Sequence, residues 1–399
     1  MRPHTPRVNH GGDRSAEPSL SDPASASAGS APTIFGGAGS RAIAQVALSD
    51  CVALSTLRMT HRDPALAARA YYGDEIADEG SPIALAVGRQ FETSLERADF
   101  ERFRFALHRA GRLDDAASIT IAEIDAEAPG DTEYARAERV RRTRAYLLRA
   151  ARGDTTVPDV LWHPHVTLPM VGFTVTIIPD YLLLRHTAHG LRVGEIKAYR
   201  DRGAYTSIAS LRLARLQAAV EVLAVREALR SLGVRDVEDR APAEVDFMLR
   251  TRTSGMFGIL RRRPTRIHRD VERVQRALAA AMMRLPAHLS SLPAGTSLDT
   301  REGFESLPYD YTEECRGHCA LASRCAERAA RQGNGAILGD HVASLLGGVV
   351  TLHDLDAMLA GRMEPPSPEI AAIVDGFADA LRRTGHHVET ARAEVRRAG

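Results

Sequence analysis

Between residues 171 and 199 the chain drops helical spacing and takes up the alternation of extended backbone, and this change constrains the fold more than any other feature. Val171-Gly172-Phe173-Thr174-Val175-Thr176-Ile177-Ile178 is rich in β-branched residues, the composition of a half-buried strand. Tyr181 to Arg185 continues extended, His186 to Gly190 has turn composition, and Leu191 to Tyr199 resumes the strand, which predicts a β-meander. Helical text lies on both sides. From residue 42 to 150, Ala, Leu and Arg recur three and four apart, predicting helices over 82–110 and 131–151. Residues 206–232 predict a long amphipathic helix closed by Gly233. A strand from Val245 to Arg250, a helix over 266–284 and a mostly helical tail over 336–398 follow. Strands interleaved with helices place the chain in the α/β class.

At 399 residues there is room for two domains or one elaborated domain. A net charge of +1 does not announce a polyanion binder, so any nucleic-acid surface must be local. Arg261, Arg262, Arg263, Arg266 and Arg269 form one such run, and Arg139, Arg141, Arg142 and Arg144 another, although such a run is more often just a solvated helix face. Residues 1–33 are rich in Ser, Pro, Ala and Gly and predict a disordered tail. With no long apolar run and no secretion-type apolar segment at the amino terminus, no membrane partner and a cytoplasmic location are expected.

Of 52 basic side chains only one is a lysine, Lys197, in Gly194-Glu195-Ile196-Lys197. An ammonium is a compact charge with rotatable donors, where guanidinium is a planar fork. Such a charge suits a place beside a water and a phosphate oxygen. Glu195 and Lys197 share a strand face, with Ile196 directed into the core. If the strands carrying them are neighbours, Asp180 converges on that face. Two carboxylates and the Ile196 carbonyl are hard ligands suited to Mg²⁺ or Mn²⁺. A surface strand with a Glu–Lys pair would give the same text.

Pro179-Asp180 followed by Glu195-Ile196-Lys197 resembles the PD-(D/E)XK nuclease signature in its RecB-like form. The resemblance implies a restriction-endonuclease-like core, a mixed sheet flanked by helices, over residues 166–260. It implies a glutamine on the next helix, matched by Gln217, and an upstream helical motif matched by Gly88-Arg89-Gln90-Phe91-Glu92, with Glu92 as a further metal ligand. Relatives often carry a tyrosine four residues beyond the glutamine; this chain has Glu221.

The four cysteines are Cys51, Cys315, Cys319 and Cys325. Four thiols in a reducing compartment read as a metal site before a disulfide framework. A four-iron, four-sulfur cluster fits better than zinc, because Cys51 stands alone rather than in a short pair. The arrangement is similar to that of AddB nuclease domains and CRISPR-associated RecB-like exonucleases, although their trio is commonly C-x2-C-x5-C and this one is C-x3-C-x5-C with His318 inside. By this reading residues 42–165 form a helical part carrying Cys51 and Glu92, residues 261–330 close the iron–sulfur site, and residues 331–399 form a helical tail.

The function so implied is metal-dependent hydrolysis of DNA by an exonuclease or end-trimming enzyme acting on single-stranded or unwound DNA, with a helicase, CRISPR-adaptation or defence-system protein as partner. The alternative is a catalytically silent, cluster-bearing DNA-binding subunit of a repair, adaptation or phage-defence complex. His163 and His165 read as structural, and Trp162 as a core residue.

Overall fold

The strand-forming text is shared between a mixed main sheet and a small ribbon, with helices before, between and after them. The computed structural model of the chain describes residues 39–49, 51–73, 82–97, 99–109, 118–184, 190–201, 208–251, 260–312, 315, 318–346 and 351–398. The predicted tail over 1–33 and the turn predicted from His186, except Gly190, lie outside the described residues, as do the side chains of Arg261, Arg262 and Arg263.

Helices α1 (Ser40–Val46), α2 (Val52–Met59) and α3 (Pro64–Tyr72) come first. Asp63 caps α3 by accepting from the Ala65 N–H at 2.7 Å, ahead of Pro64 at the first helical position. The single helix predicted over 82–110 is two, α4 (Pro82–Glu96) and α5 (Glu101–Arg109). Asp99 and Phe100 adopt φ of 55° and 60°, which no right-handed helix accommodates. Phe100 is held there by its ring, 5.0 Å from that of Trp162.

Strand β1 (Ile121–Glu123), helices α6 (Ile124–Glu127) and α7 (Glu133–Ala151), and strand β2 (Val160–Trp162) follow. Both strands fall in the part predicted to be helical. Strand β3 (Val166–Pro169) pairs antiparallel with β4 (Thr174–Ile177) as a separate ribbon. The predicted meander therefore splits: β4 leaves the main sheet, while β5 (Tyr181–Leu183) and β6 (Arg192–Asp201) stay together as antiparallel neighbours. Helices α8 (Ile208–Ser231) and α9 (Val237–Arg240) lead to β7 (Glu244–Thr251) and β8 (Leu260–Arg266). The arginine run at 261–266, read as a helix face, is an edge strand instead, paired with β7. Charged edges discourage pairing with other chains. Helix α10 (His268–Ser290) continues through Pro286, past its predicted end at 284.

The main sheet runs β1-β2-β5-β6-β7-β8, with β1/β2 and β6/β7 parallel and the other pairs antiparallel. The parallel β6/β7 pair needs a crossover, and α8 supplies it. Alternation sorts the two faces. Leu161, Leu182, Val193, Val245 and Phe247 pack with α8 residues such as Ala218 and Val222. Val160, Trp162, Tyr181, Ile196 and Met248 pack on the other face with Phe91 and Leu95 of α4 and Phe103 of α5. The molecule is thus a mixed α/β fold with helices on both faces of its sheet.

Helices α11 (Arg301–Ser306) and α12 (Ala322–Arg331) follow. A 3-10 turn (Gly335–Leu338) then leads to α13 (Asp340–Leu345), α14 (Leu352–Leu359) and α15 (Pro368–Ala398), helical as predicted. The last helices gather their own cluster around Leu346, Leu355, Met358 and Ile370. No helix among the described residues is long and apolar enough to cross a membrane.

Candidate active site and cysteine cluster

Tyr181 lies opposite Gly194 in the β5/β6 ladder, so Asp180 sits one step off the end of β5, opposite Glu195. Directly opposed residues of antiparallel strands project to the same face. The Asp180 Oδ2 accepts the Ile196 N–H at 2.5 Å, extending the ladder with a side chain where β5 stops. The N–H and carbonyl of one strand residue point to the same edge, so the Ile196 carbonyl shares the Asp180 side. Ile196 itself is buried among the aromatic residues of the opposite face, as predicted. The pairing depends on Gly194: a Cβ there would overlap the Tyr181 ring.

Lys197 forms an ion pair with Glu195. Burial works against the Lys197 charge, but Glu195 and Asp180 outweigh it and hold its pKa above the ordinary lysine range. Lys197 is therefore a fixed cation here and no proton acceptor. Burial pushes Glu195 up to about 7, with Lys197 pulling it down and Asp180 adding to the rise.

Helix α8 also brings Glu221, which stands where the resembled pattern has a tyrosine. Glu221 is 0% exposed, and burial, then Glu195 and Asp180, raise its pKa well above the usual carboxylate value. Gln217, one turn earlier, donates weakly to Glu221 Oε1 at 3.5 Å. Apart from the ion pair with Lys197 and a carboxyl–carboxyl hydrogen bond between Glu195 and Glu221, both Glu195 oxygens and Glu221 Oε2 are buried with no other partner among the described residues. Buried carboxylate oxygens in that state are costly and call for a counter-charge. The signal for Glu221 was its place one helical turn beyond Gln217, which keeps it on the same helix face.

Glu92 comes from α4, whose Phe91 and Leu95 are buried in the aromatic core. Its pKa is raised by burial and next by Asp180, with His163 and Lys197 opposing, so it faces the same charges. The structure thus brings Asp180, Glu195, Lys197 and Gln217 together with Glu221, and sets Glu92 within electrostatic reach of Asp180 and Lys197. His163, φ 48°, donates its backbone N–H to the Asp180 carbonyl at 3.1 Å. His165 Nε2 lies 3.1 Å from Asp125, which also pairs with Arg139 at 2.9 Å, a structural arrangement.

The thiols converge as well. Cys51, at the N-cap of α2, and Cys319 share an apolar cluster, and Cys315, Cys319 and Cys325 share another. All four are unbridged. Burial and then the thiols of Cys51 and Cys315 push Cys325 up to about 12. Cys319 is raised above the ordinary thiol range mainly by burial, with Cys325, Cys315 and Cys51 adding to it. Backbone bonds hold the two chain regions together, Ala53 N–H to the Pro308 carbonyl at 2.9 Å and the Gln45 amide to the His318 carbonyl at 2.5 Å.

Among the described residues no group of three or more His, Cys, Asp or Glu side chains is arranged to hold a metal ion as placed. The donor chemistry nonetheless fits: unsatisfied buried carboxylate oxygens suit a hard divalent cation, and four clustered thiols suit iron or zinc. Comparison with known proteins finds no family model that matches this chain and no match among curated proteins.

Proposed function

We propose that the chain is a metal-dependent DNA nuclease of the PD-(D/E)XK superfamily, RecB-like branch, with a restriction-endonuclease-like core and a structural four-iron, four-sulfur cluster. The observation that carries the proposal is the β5/β6 register, which sets Asp180 opposite Glu195 with Lys197 on the same face. Asp180, Glu195, the Ile196 carbonyl and Glu92 would hold Mg²⁺ or Mn²⁺, with Glu221 adding charge. When bound, the cation supplies Lewis acidity toward a phosphodiester. Lys197, kept cationic, donates to the attacking water and a nonbridging phosphate oxygen and stabilises the charge that develops there. Gln217 orients Glu221 from α8. Cys51, Cys315, Cys319 and Cys325 would hold the cluster, joining chain segments far apart in sequence.

Labelled single- and double-stranded DNA incubated with Mg²⁺ or Mn²⁺ tests the proposal. Wild type should degrade at least one of the two, and Lys197→Ala should lose about 100-fold or more in rate, the scale for removing one preorganised donor. Equal degradation by both proteins rules out the assignment. DNA binding without cleavage by wild type would instead mark the silent DNA-binding subunit.

A further inference from the structure

Away from the carboxylates, a cleft of about 530 Å³ opens among α3, α11 and α12. Small-ligand sites run from roughly 300 to 1,000 Å³. Only Cys325 of the four cysteines lines it, so it is not the thiol site itself. Arg324, Arg328 and Arg331 line it from one stripe of α12, at helical spacings of four and three, and Arg301 enters from α11. The opposing carboxylates in the lining are Glu305 and Glu327, which leaves cations in excess.

Those carboxylates are already engaged. Arg301 pairs with Glu305 and Arg324 with Glu327, each at 2.9 Å. Both guanidiniums lie over the Tyr72 ring, at 5.1 and 5.0 Å. Arg328 places its guanidinium carbon over the Tyr309 ring, 4.3 Å from the centroid, and donates to the Glu305 backbone carbonyl, while Arg331 is exposed; neither has an ion-pair partner among the described residues. A guanidinium held over an aromatic ring keeps N–H donors at its edge, and those not already engaged suit charge-assisted contact with phosphate. An ordinary solvated helix face would not need two tyrosines or a recess floored by Phe304, Leu307 and Leu321. The helix dipole favours cations in the last turn, but does not account for the stacking.

The geometry points to this cleft as a binding site for a phosphorylated nucleotide unit, its phosphate on Arg328 and Arg331 and its base against the apolar wall of Phe304, Leu307 and Leu321. The unit is either a free nucleoside monophosphate or the 5′-phosphorylated end of a single strand; the strand source rests on the nuclease reading, whereas the anion chemistry of the cleft does not. Stacking plus backbone charge is the usual basis of single-strand binding.

The full-length protein, without added divalent cation, is titrated with a deoxynucleoside 5′-monophosphate and with a fluorescent single-stranded oligonucleotide carrying or lacking a 5′-phosphate. Arg331→Gln, which removes an exposed side chain, and Arg328→Gln should each weaken binding by about tenfold, the scale of a charge-assisted hydrogen bond. Tenfold preference for the phosphorylated oligonucleotide assigns the strand end; saturable, Arg331-dependent binding of the monophosphate alone assigns the free nucleotide. Binding of all three ligands that is absent or indifferent to both substitutions overturns the proposal. Wild-type cleavage rates in Lys197→Ala would overturn the nuclease reading and leave an Arg331-dependent monophosphate site standing.

Discussion

Glu195 and Glu221 form a buried carboxyl pair in which Glu195 raises the pKa of Glu221, while the hydrogen bond with Glu221 opposes the rise that burial and Asp180 impose on Glu195. A folded-state pKa of about 7 for Glu195 lies above its ordinary value of 4.5, so the folded state binds protons that the unfolded chain does not. The resulting stability is fully present below about pH 4.5 and is lost as pH rises through 7. The cation-free protein should therefore melt at higher temperature at pH 6 than at pH 8, with a difference of roughly 1–3 kcal/mol. Glu221→Gln should flatten this dependence and raise stability at pH 8, while weakening Mn²⁺ affinity in calorimetry. If the cation takes the two carboxyls ionised, titrating it into wild type near pH 6.5 should release protons. Gly194→Ala places a methyl group against the Tyr181 ring and should cost about 1–3 kcal/mol in denaturant melts.

At the scale of elements, the long crossover helix and the two strands of the candidate site were legible because each has a run long enough for its period to register. Helix α8 spans Ile208–Ser231, and its predicted stop at Gly233 coincides with a φ of 74°. Strands β1 and β2 have three residues each, too short for alternation to stand out from helical text around them. Strand β8 was hidden by its arginines, because charge on an edge strand looks the same in sequence as charge on a helix. The α4/α5 break was invisible for another reason: neither Asp99 nor Phe100 is a glycine, and tertiary packing of the Phe100 ring holds the turn. Phe100→Ala should accordingly cost about 3–5 kcal/mol, measured by urea unfolding. It should also lower cleavage, since α4 carries Glu92. Asp180, Glu195 and Lys197 could be placed together from the text alone; for Glu221 the text offers only its place one turn beyond Gln217, and its burial beside Glu195 appears only when α8 folds back over β6.

For the whole molecule, the link between the early helices and the later cysteine segment matters most. Arg62 forms two bonds of 3.0 Å to Asp299, and the Tyr71 hydroxyl donates to the Leu298 carbonyl at 2.7 Å. Anaerobically purified wild type should be brown and carry iron; Cys51→Ser should be colourless and lose roughly 4–5 kcal/mol, the scale for releasing a constraint that closes a very long loop. Equal melting temperatures and equal iron content in the two proteins would exclude a cluster at these thiols.

The contacts that tie Gln45, Ala53 and Arg62 to residues between Asp299 and His318 also govern the order of assembly. A ribosome delivers Asp180, Glu195 and Glu221 well before it delivers Cys325. The emerging chain can thus pack α1 on α8 and complete its acidic face while Gln45, Ala53 and Arg62 still lack their later partners, so the late segment has to return and dock on helices already in place.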